Sequence, residues 1–197
     1  MSRLAKRHIL NRATRLTLIC RGRTQATKLS GFSSDEPLLD GETVGARRIA
    51  STIRRVDRLL SAPERSACET AAAIGAPWTI DATFRDLDYG RWQGRTLAVI
   101  AANEPDALGL WISDANAAPH GGEPVTQMLA RVSQWMTQNL AAGGHTVIVT
   151  HPIVIKAAVL AALDAPASSV WKLDVELLSV TDLRSDGRRW VLRSLGK

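Results

Sequence analysis

Apolar and polar positions along the 197-residue chain switch between a short and a long period, and each switch marks an element. Residues 15–20 (RLTLIC) are a β-branched and apolar run closed by a Gly-containing turn at 21–24, which predicts a strand ending in a loop. Residues 25–42 are polar and broken by Gly31, Pro37 and Gly41, so a long connecting loop is expected there. Helical spacing follows at 43–51, then a strand at 56–61 and a helix from 63 to 74, with Pro63 and Glu64 in its first turn. A short strand at 78–80, a helix at 96–103 and a second long irregular segment at 105–124 come next. Val125, Met128, Leu129, Val132, Trp135, Met136 and Leu140 give the clearest helical spacing, and Gly143 and Gly144 end it.

Residues 146–150 (TVIVT) are continuously β-branched, as a strand buried on both faces requires, and a helix at 153–163 follows. Runs at 176–183 and 190–195, with a turn at 185–187, predict a closing strand pair. Strands alternating with helices imply an α/β fold: one domain, a three-layer sandwich with a mostly parallel sheet, the terminal pair extending one edge. Reactive side chains then belong at the ends of strands and in the loops beside them.

Length and composition agree with one globular domain, with 45% apolar and 22% charged residues and no biased tract. The net charge of +6 raises the question of a nucleic-acid partner, but it is concentrated. Arg3, Lys6, Arg7, Arg12 and Arg15 fall within the first fifteen residues without an acid, and the remainder holds 20 bases against 19 acids. Residues 1–14 are therefore expected to be a solvated basic arm ahead of a domain at 15–197, with no specific nucleic-acid recognition. No apolar run approaches the roughly 20 residues of a membrane helix, and residues 16–20 are too brief for a signal-peptide core, so a cytoplasmic protein is expected. Cys20 and Cys68 form no CxxC pattern and His8, His120, His145 and His151 are scattered, so neither a metal nor another cofactor is expected. GxSxG, GxGxxG and Walker A patterns are absent, which sets aside serine hydrolases, dinucleotide-binding proteins and P-loop nucleotide hydrolases.

Four segments carry the reactive groups: Cys20-Arg21-Gly22-Arg23-Thr24, Ser61-Ala62-Pro63-Glu64-Arg65, Asp86-Leu87-Asp88-Tyr89-Gly90 and Val149-Thr150-His151. In this order they resemble the histidine phosphatase superfamily, the phosphoglycerate-mutase-like proteins. That family has a strand with Arg-His-Gly-x-Thr, a Pro-Leu loop, Ser-Ser-Pro-x-x-Arg-x-x-x-Thr-Ala, a Glu four residues before a Gly, Trp-Glu-Gly, a Gly-Glu-Ser loop and a strand ending in a second His. The matching residues are Gly22, Thr24, Pro37-Leu38, Ser61, Pro63, Arg65, Thr70-Ala71, Gly90, Trp92, Gly94, Gly122-Glu123 and Val149-Thr150-His151.

The resemblance implies a pocket at the carboxyl ends of the strands, covered by the segments at 25–42 and 105–124. In it Arg21, Arg65 and His151 would hold the anion, Cys20, Thr24 and Glu123 would bind substrate, and Asp86 and His151 would be the catalytic pair. The departures are chemical. Arg21 stands where the family has its phosphate-accepting His, and a guanidinium has no lone pair with which to become phosphorylated. Asp86 replaces the acidic proton donor with a shorter side chain, Gln93 replaces the Glu after the Trp, and Pro124 replaces the Ser after Glu123. The expected function is binding of a phosphorylated or carboxylated small molecule with little or no phosphohistidine chemistry. The alternatives are a repurposed enzyme doing non-covalent acid-base or hydrolytic chemistry with Asp86 and His151, or a residual phosphomonoesterase.

Overall fold

The computed structural model describes residues 13–197, so the expected arm lies almost wholly outside the described residues. In chain order the elements are β1 (Thr14–Cys20), α1 (Gln25–Lys28), α2 (Glu42–Thr52), β2 (Arg58–Ser61), α3 (Arg65–Ile74), β3 (Thr79–Ile80), α4 (Leu97–Asn103), α5 (Pro105–Ser113), α6 (Val125–Gln138), β4 (Gly144–Thr150), α7 (Pro152–Ala162), β5 (Val180–Ser185) and β6 (Trp190–Ser194). They build one six-stranded sheet in the order β3-β2-β4-β1-β5-β6. β3, β2, β4 and β1 run parallel, whereas β5 and β6 add an antiparallel edge.

The centre of the sheet is also the centre of the core. β1 and β4 are buried almost throughout, because helices cover both faces and leave no side for water. The helix pairs α2–α3 and α6–α7 pack side by side, and α7 contributes seven buried residues from Ile153 to Leu160. Ridges of small residues on α3, Ala67 and Ala71 with Ser66 and Thr70, let that helix lie close against the sheet.

Differences from the predicted elements have local causes. The segment expected to be irregular at 105–124 begins with α5, in which Pro105 takes the first helical position, where its missing N–H costs nothing, and Trp111 is buried. The expected loop at 25–42 begins with α1, whose N-cap is Thr24 in a reciprocal capping box with Thr27. β5 starts at Val180 because 176–179 form a turn: Ser179 Oγ donates to the Glu176 carbonyl at 2.6 Å, and Leu178 has a φ of 56°. β1 already includes Thr14, and Arg15 Nε donates to Asp182 Oδ1 at 3.0 Å.

One close approach positions the loop that carries Asp86. Residues 88–91 and 120–123 are laced by Glu123 N–H to the Asp88 carbonyl (2.8 Å) and Arg91 N–H to the His120 carbonyl (3.0 Å). A Cβ on Gly122 would sit 2.0 Å from the Asp88 carbonyl oxygen, and one on Gly90 would sit 2.3 Å from that of His120. Gly122→Ala is accordingly expected to cost about 2–4 kcal/mol in chemical denaturation. Gly109→Ala, which points into open space on α5, should be neutral or gain up to about 1 kcal/mol. Equal effects from the two would mean that the two loops are free to separate.

Candidate functional site

Three parallel strands deliver the site. Cys20 pairs with Thr150 across β1 and β4, so Arg21 and His151 leave adjacent carboxyl ends side by side, and Arg21 N–H donates to the Thr150 carbonyl at 2.8 Å. Ser61 pairs with Val149 across β2 and β4, and Ala62 N–H continues the ladder to the Val149 carbonyl, which places the 62–64 turn against the same edge. Thr150 Oγ1 donates to the Phe84 carbonyl at 2.7 Å and brings the 84–88 segment over the strand ends.

His151, 1% exposed, sits between two carboxylates. Its Nε2 donates to Glu64 Oε2 at 2.8 Å, and its Nδ1 lies 3.1 Å from Asp86 Oδ2 as an ion pair rather than an aligned hydrogen bond. Glu64 also binds Asp86 directly, since the Asp86 N–H donates to Glu64 Oε1 at 3.0 Å. Burial alone would drive His151 neutral. The charge of Asp86 and the contacts with both carboxylates overcome it and raise the imidazole to about 9. Asp86 is half-buried, which alone would raise its carboxyl, yet the imidazolium and Arg21 hold it below the ordinary range. At neutral pH this is therefore a carboxylate–imidazolium–carboxylate cluster.

Arg21 is the neighbouring cation, 3% exposed. Its Nη1 donates to the Gly22 carbonyl at 2.8 Å, its Nη2 lies 3.5 Å from Ser33 Oγ, and its Nε has no partner among the described residues. In front of the cluster opens a cavity of about 540 Å³ lined by Ser33, Ser34, Asp35, Glu64, Arg85, Asp86, Leu87, Asp88 and Gln93. Its wall thus carries four carboxylates against one arginine, with Arg21 bordering it behind Ser33. No group of His, Cys, Asp and Glu among the described residues could hold a metal ion, and no described helix is long and apolar enough to cross a membrane.

The sequence model of the histidine phosphatase superfamily (branch 1) matches residues 16–197. The chain belongs to that superfamily. It is 31% identical over 175 residues to a glucosyl-3-phosphoglycerate phosphatase of Mycolicibacterium vanbaalenii, covering 80% of this chain and 78% of the other. A bifunctional protein of Mycobacterium tuberculosis is 28% identical over 189 residues, 88% of this chain, and the chain spans only 51% of that relative's length. The solved structure of a mycobacterial glucosyl-3-phosphoglycerate phosphatase complexed with VO3 superposes with a TM-score of 0.83 at 28% identity, covering 92% and 98% of the two chains.

Within the superfamily pattern, Arg21, Asp86 and His151 come together as the motifs lead one to expect, and Arg65 does not join them. The Arg65 side chain is 61% exposed and donates from Nε to Glu69 Oε1 on its own helix. Counted from Ser61 and Pro63, the arginine of Ser-Ser-Pro-x-x-Arg falls one position later, on Ser66, which is buried. Of the three residues expected to hold an anion, Arg21 and His151 therefore lie side by side and Arg65 lies apart from them. Thr24 is occupied in capping α1. Cys20 is fully buried, and desolvation pushes its thiol up to about 12, so it packs as a small apolar residue.

Glu123 does not line the cavity. Both its oxygens accept from Arg131 at 2.9 Å and one also accepts from Arg85, while Arg131 Nη2 donates to the carbonyls of Arg85 and Asp86. Glu123 therefore fixes the backbone that presents Asp86. His120 is neither on the surface nor in the cavity: it is 1% exposed, its Nδ1 accepts from Gly122 N–H, and it packs against Trp92 and Trp111.

The functional residue missed from sequence is Glu64. It reads locally as a favourable acid at a helix start, and its partner His151 is 87 positions away. The cluster has a consequence for pH. Because the folded His151 is raised from 6.5 to about 9, its contribution is complete below pH 6.5 and is lost as pH rises through 9. Asp86, lowered when folded, contributes above its ordinary range and only loses that contribution in acid. Urea denaturation should show the protein about 1.5 kcal/mol less stable at pH 8.5 than at pH 7, with the slope much reduced in His151→Gln. A pH-independent wild type would show that His151 is neutral.

Proposed function

We propose that this chain is a histidine phosphatase superfamily member without phosphohistidine chemistry, which holds a small polar molecule bearing one acidic group in the cavity beside Arg21, Glu64 and Asp86. The observation that carries this reading is the Glu64–His151–Asp86 cluster next to an arginine at the nucleophile position. A protonated imidazole cannot attack phosphorus, and a guanidinium cannot substitute for it. Asp86, held ionised at neutral pH, can accept a proton but has none to donate to a leaving alkoxide.

The charge of the cavity supports a narrower ligand class. A phosphate dianion at His151 would face Glu64 and Asp86 within the same small volume, and displacing Glu64 would leave a carboxylate to be resolvated. A single carboxylate, on a molecule whose hydroxyl or ammonium groups donate to the acidic wall, meets less of that conflict, and Ser33, which Arg21 Nη2 approaches at 3.5 Å, is the cavity residue beside which Arg21 would favour it.

Hydrolysis of p-nitrophenyl phosphate is expected to stay at the no-enzyme background from pH 5 to 8 in wild type and His151→Ala alike, and acid quench after incubation with labelled phosphoglycerate should trap no phosphohistidine. In a thermal-shift panel, hydroxy acids and amino acids should raise the melting temperature of wild type and not of Arg21→Met, while inorganic phosphate should do neither. Turnover abolished by His151→Ala would contradict the reading, and so would stabilisation by phosphate alone.

A further inference from the structure

Residues 13–197 hold 21 bases and 19 acids, and this small positive excess is gathered in one stretch. Residues 43–63 carry Arg47, Arg48, Arg54, Arg55 and Arg58 against Asp57 alone, whereas the rest of residues 13–197 has 16 bases and 18 acids. The five arginines occupy the second half of α2, the turn after it and the first position of β2, at the amino ends of the parallel strands and so at the end of the sheet opposite Arg21 and His151. All five are exposed, and none forms an ion pair among the described residues. Two segments that flank them at this end, 70–80 and 132–144, contain no charged residue, and toward β5 Asp182 is paired with both Arg15 and Arg184.

The turn that presents Arg54 and Arg55 is held by a histidine outside the candidate site. His145, 6% exposed, has its Nδ1 at 3.1 Å from the Arg55 carbonyl and 3.2 Å from that of Arg54, and its Nε2 at 2.8 Å from Thr17 Oγ1. Nδ1 therefore donates and Nε2 accepts, as in a neutral imidazole, and burial keeps the ring in that form by lowering its pKa. Asp57 completes the attachment: its Oδ2 accepts the His145 N–H at 2.7 Å and its own N–H donates to the His145 carbonyl at 2.9 Å. Arg58 is fixed separately, donating to Thr146 Oγ1 at 2.9 Å and to Asn139 Oδ1 at 3.1 Å. Side chains alternate along a strand, so Thr146 points away from the face on which His145 meets the turn. The cations therefore stand on both sides of the sheet's end.

We infer that this arginine-bearing end of the sheet binds the phosphate backbone of a nucleic acid, without regard to sequence. Cations held on two faces follow a run of phosphates rather than converge on one small anion. All five are arginines, whose planar fork suits phosphate oxygens. Their mutual repulsion has no counter-charge beyond Asp57, and a polyanion relieves it. A protein or membrane partner is disfavoured, since from 43 to 58 Val44, 56% exposed, is the sole exposed apolar side chain, while Ile49, Ile53 and Val56 pack against the core. That leaves neither an apolar centre for a protein interface nor an anchor for a bilayer.

The test is fluorescence anisotropy of the full chain with a labelled mixed-sequence 20-mer, as single-stranded RNA and as duplex DNA, beside co-sedimentation with phosphatidylserine vesicles. Binding is expected at 50 mM KCl and should weaken about 100-fold by 200 mM if about four phosphates are engaged. The triple variant Arg47→Gln/Arg48→Gln/Arg54→Gln keeps helix-forming side chains and the His145 attachment; it should melt as wild type does and bind about tenfold more weakly at 50 mM. The matching triple variant of the β5–β6 hairpin, Arg188→Gln/Arg189→Gln/Arg193→Gln, should stay within about twofold of wild type. No binding at 50 mM, an unchanged affinity in the first variant, an equal loss in the second, or retention by vesicles with no nucleic-acid complex would each overturn the assignment.

Discussion

The candidate site depends on one arrangement: an imidazolium enclosed between two carboxylates. Each of the three groups would be costly to bury by itself, and each is tolerable because the others are there. His151 is fixed by the end of β4, Asp86 by the laced loops at 88–91 and 120–123, and Glu64 by the turn that follows β2. Their convergence is a consequence of a parallel sheet whose adjacent strands end at one level. The loops are held there by Arg131, which spans Glu123 and the carbonyls of the Asp86 segment.

This cluster also accounts for the departures from the superfamily pattern as a set. With arginine at position 21, cysteine at 20 and serine at 66, Arg21 is the guanidinium left at the strand ends, and Arg85 is the one on the cavity wall. Glu64 then supplies the negative partner that His151 would otherwise seek in a bound oxyanion. The result is close to internal neutrality, with Arg21 and His151 balanced by Glu64 and Asp86. On the function proposed above, such a site has little electrostatic reason to concentrate a dianion, although its fold is shared with phosphatases.

Much of this was legible in the sequence where the signal is local and strong. The runs RLTLIC and TVIVT are β-branched and uninterrupted, so β1 and β4 were readable, and with them the placement of Arg21 and His151 at strand ends. α5 was hidden because Pro105 and Gly109 look like breakers, whereas one is a favourable first residue and the other faces open space. Arg65 shows how fragile register is on a helix: one residue turns a side chain by roughly 100°, which is the difference between the buried Ser66 and an exposed ion pair with Glu69. Glu64 had no local signal at all, since its role is created by a partner on a distant strand.

Whether Glu64 holds the edge of His151 against an oxyanion decides what the pocket can bind. Crystals soaked in vanadate or phosphate at pH 7 address this. The Glu64–His151 contact is expected to persist near its present 2.8 Å, with no oxyanion on His151 Nε2. An oxyanion bound there, with the Glu64 carboxylate swung away, would contradict the account and return the pocket to the phosphate-binding role of its superfamily.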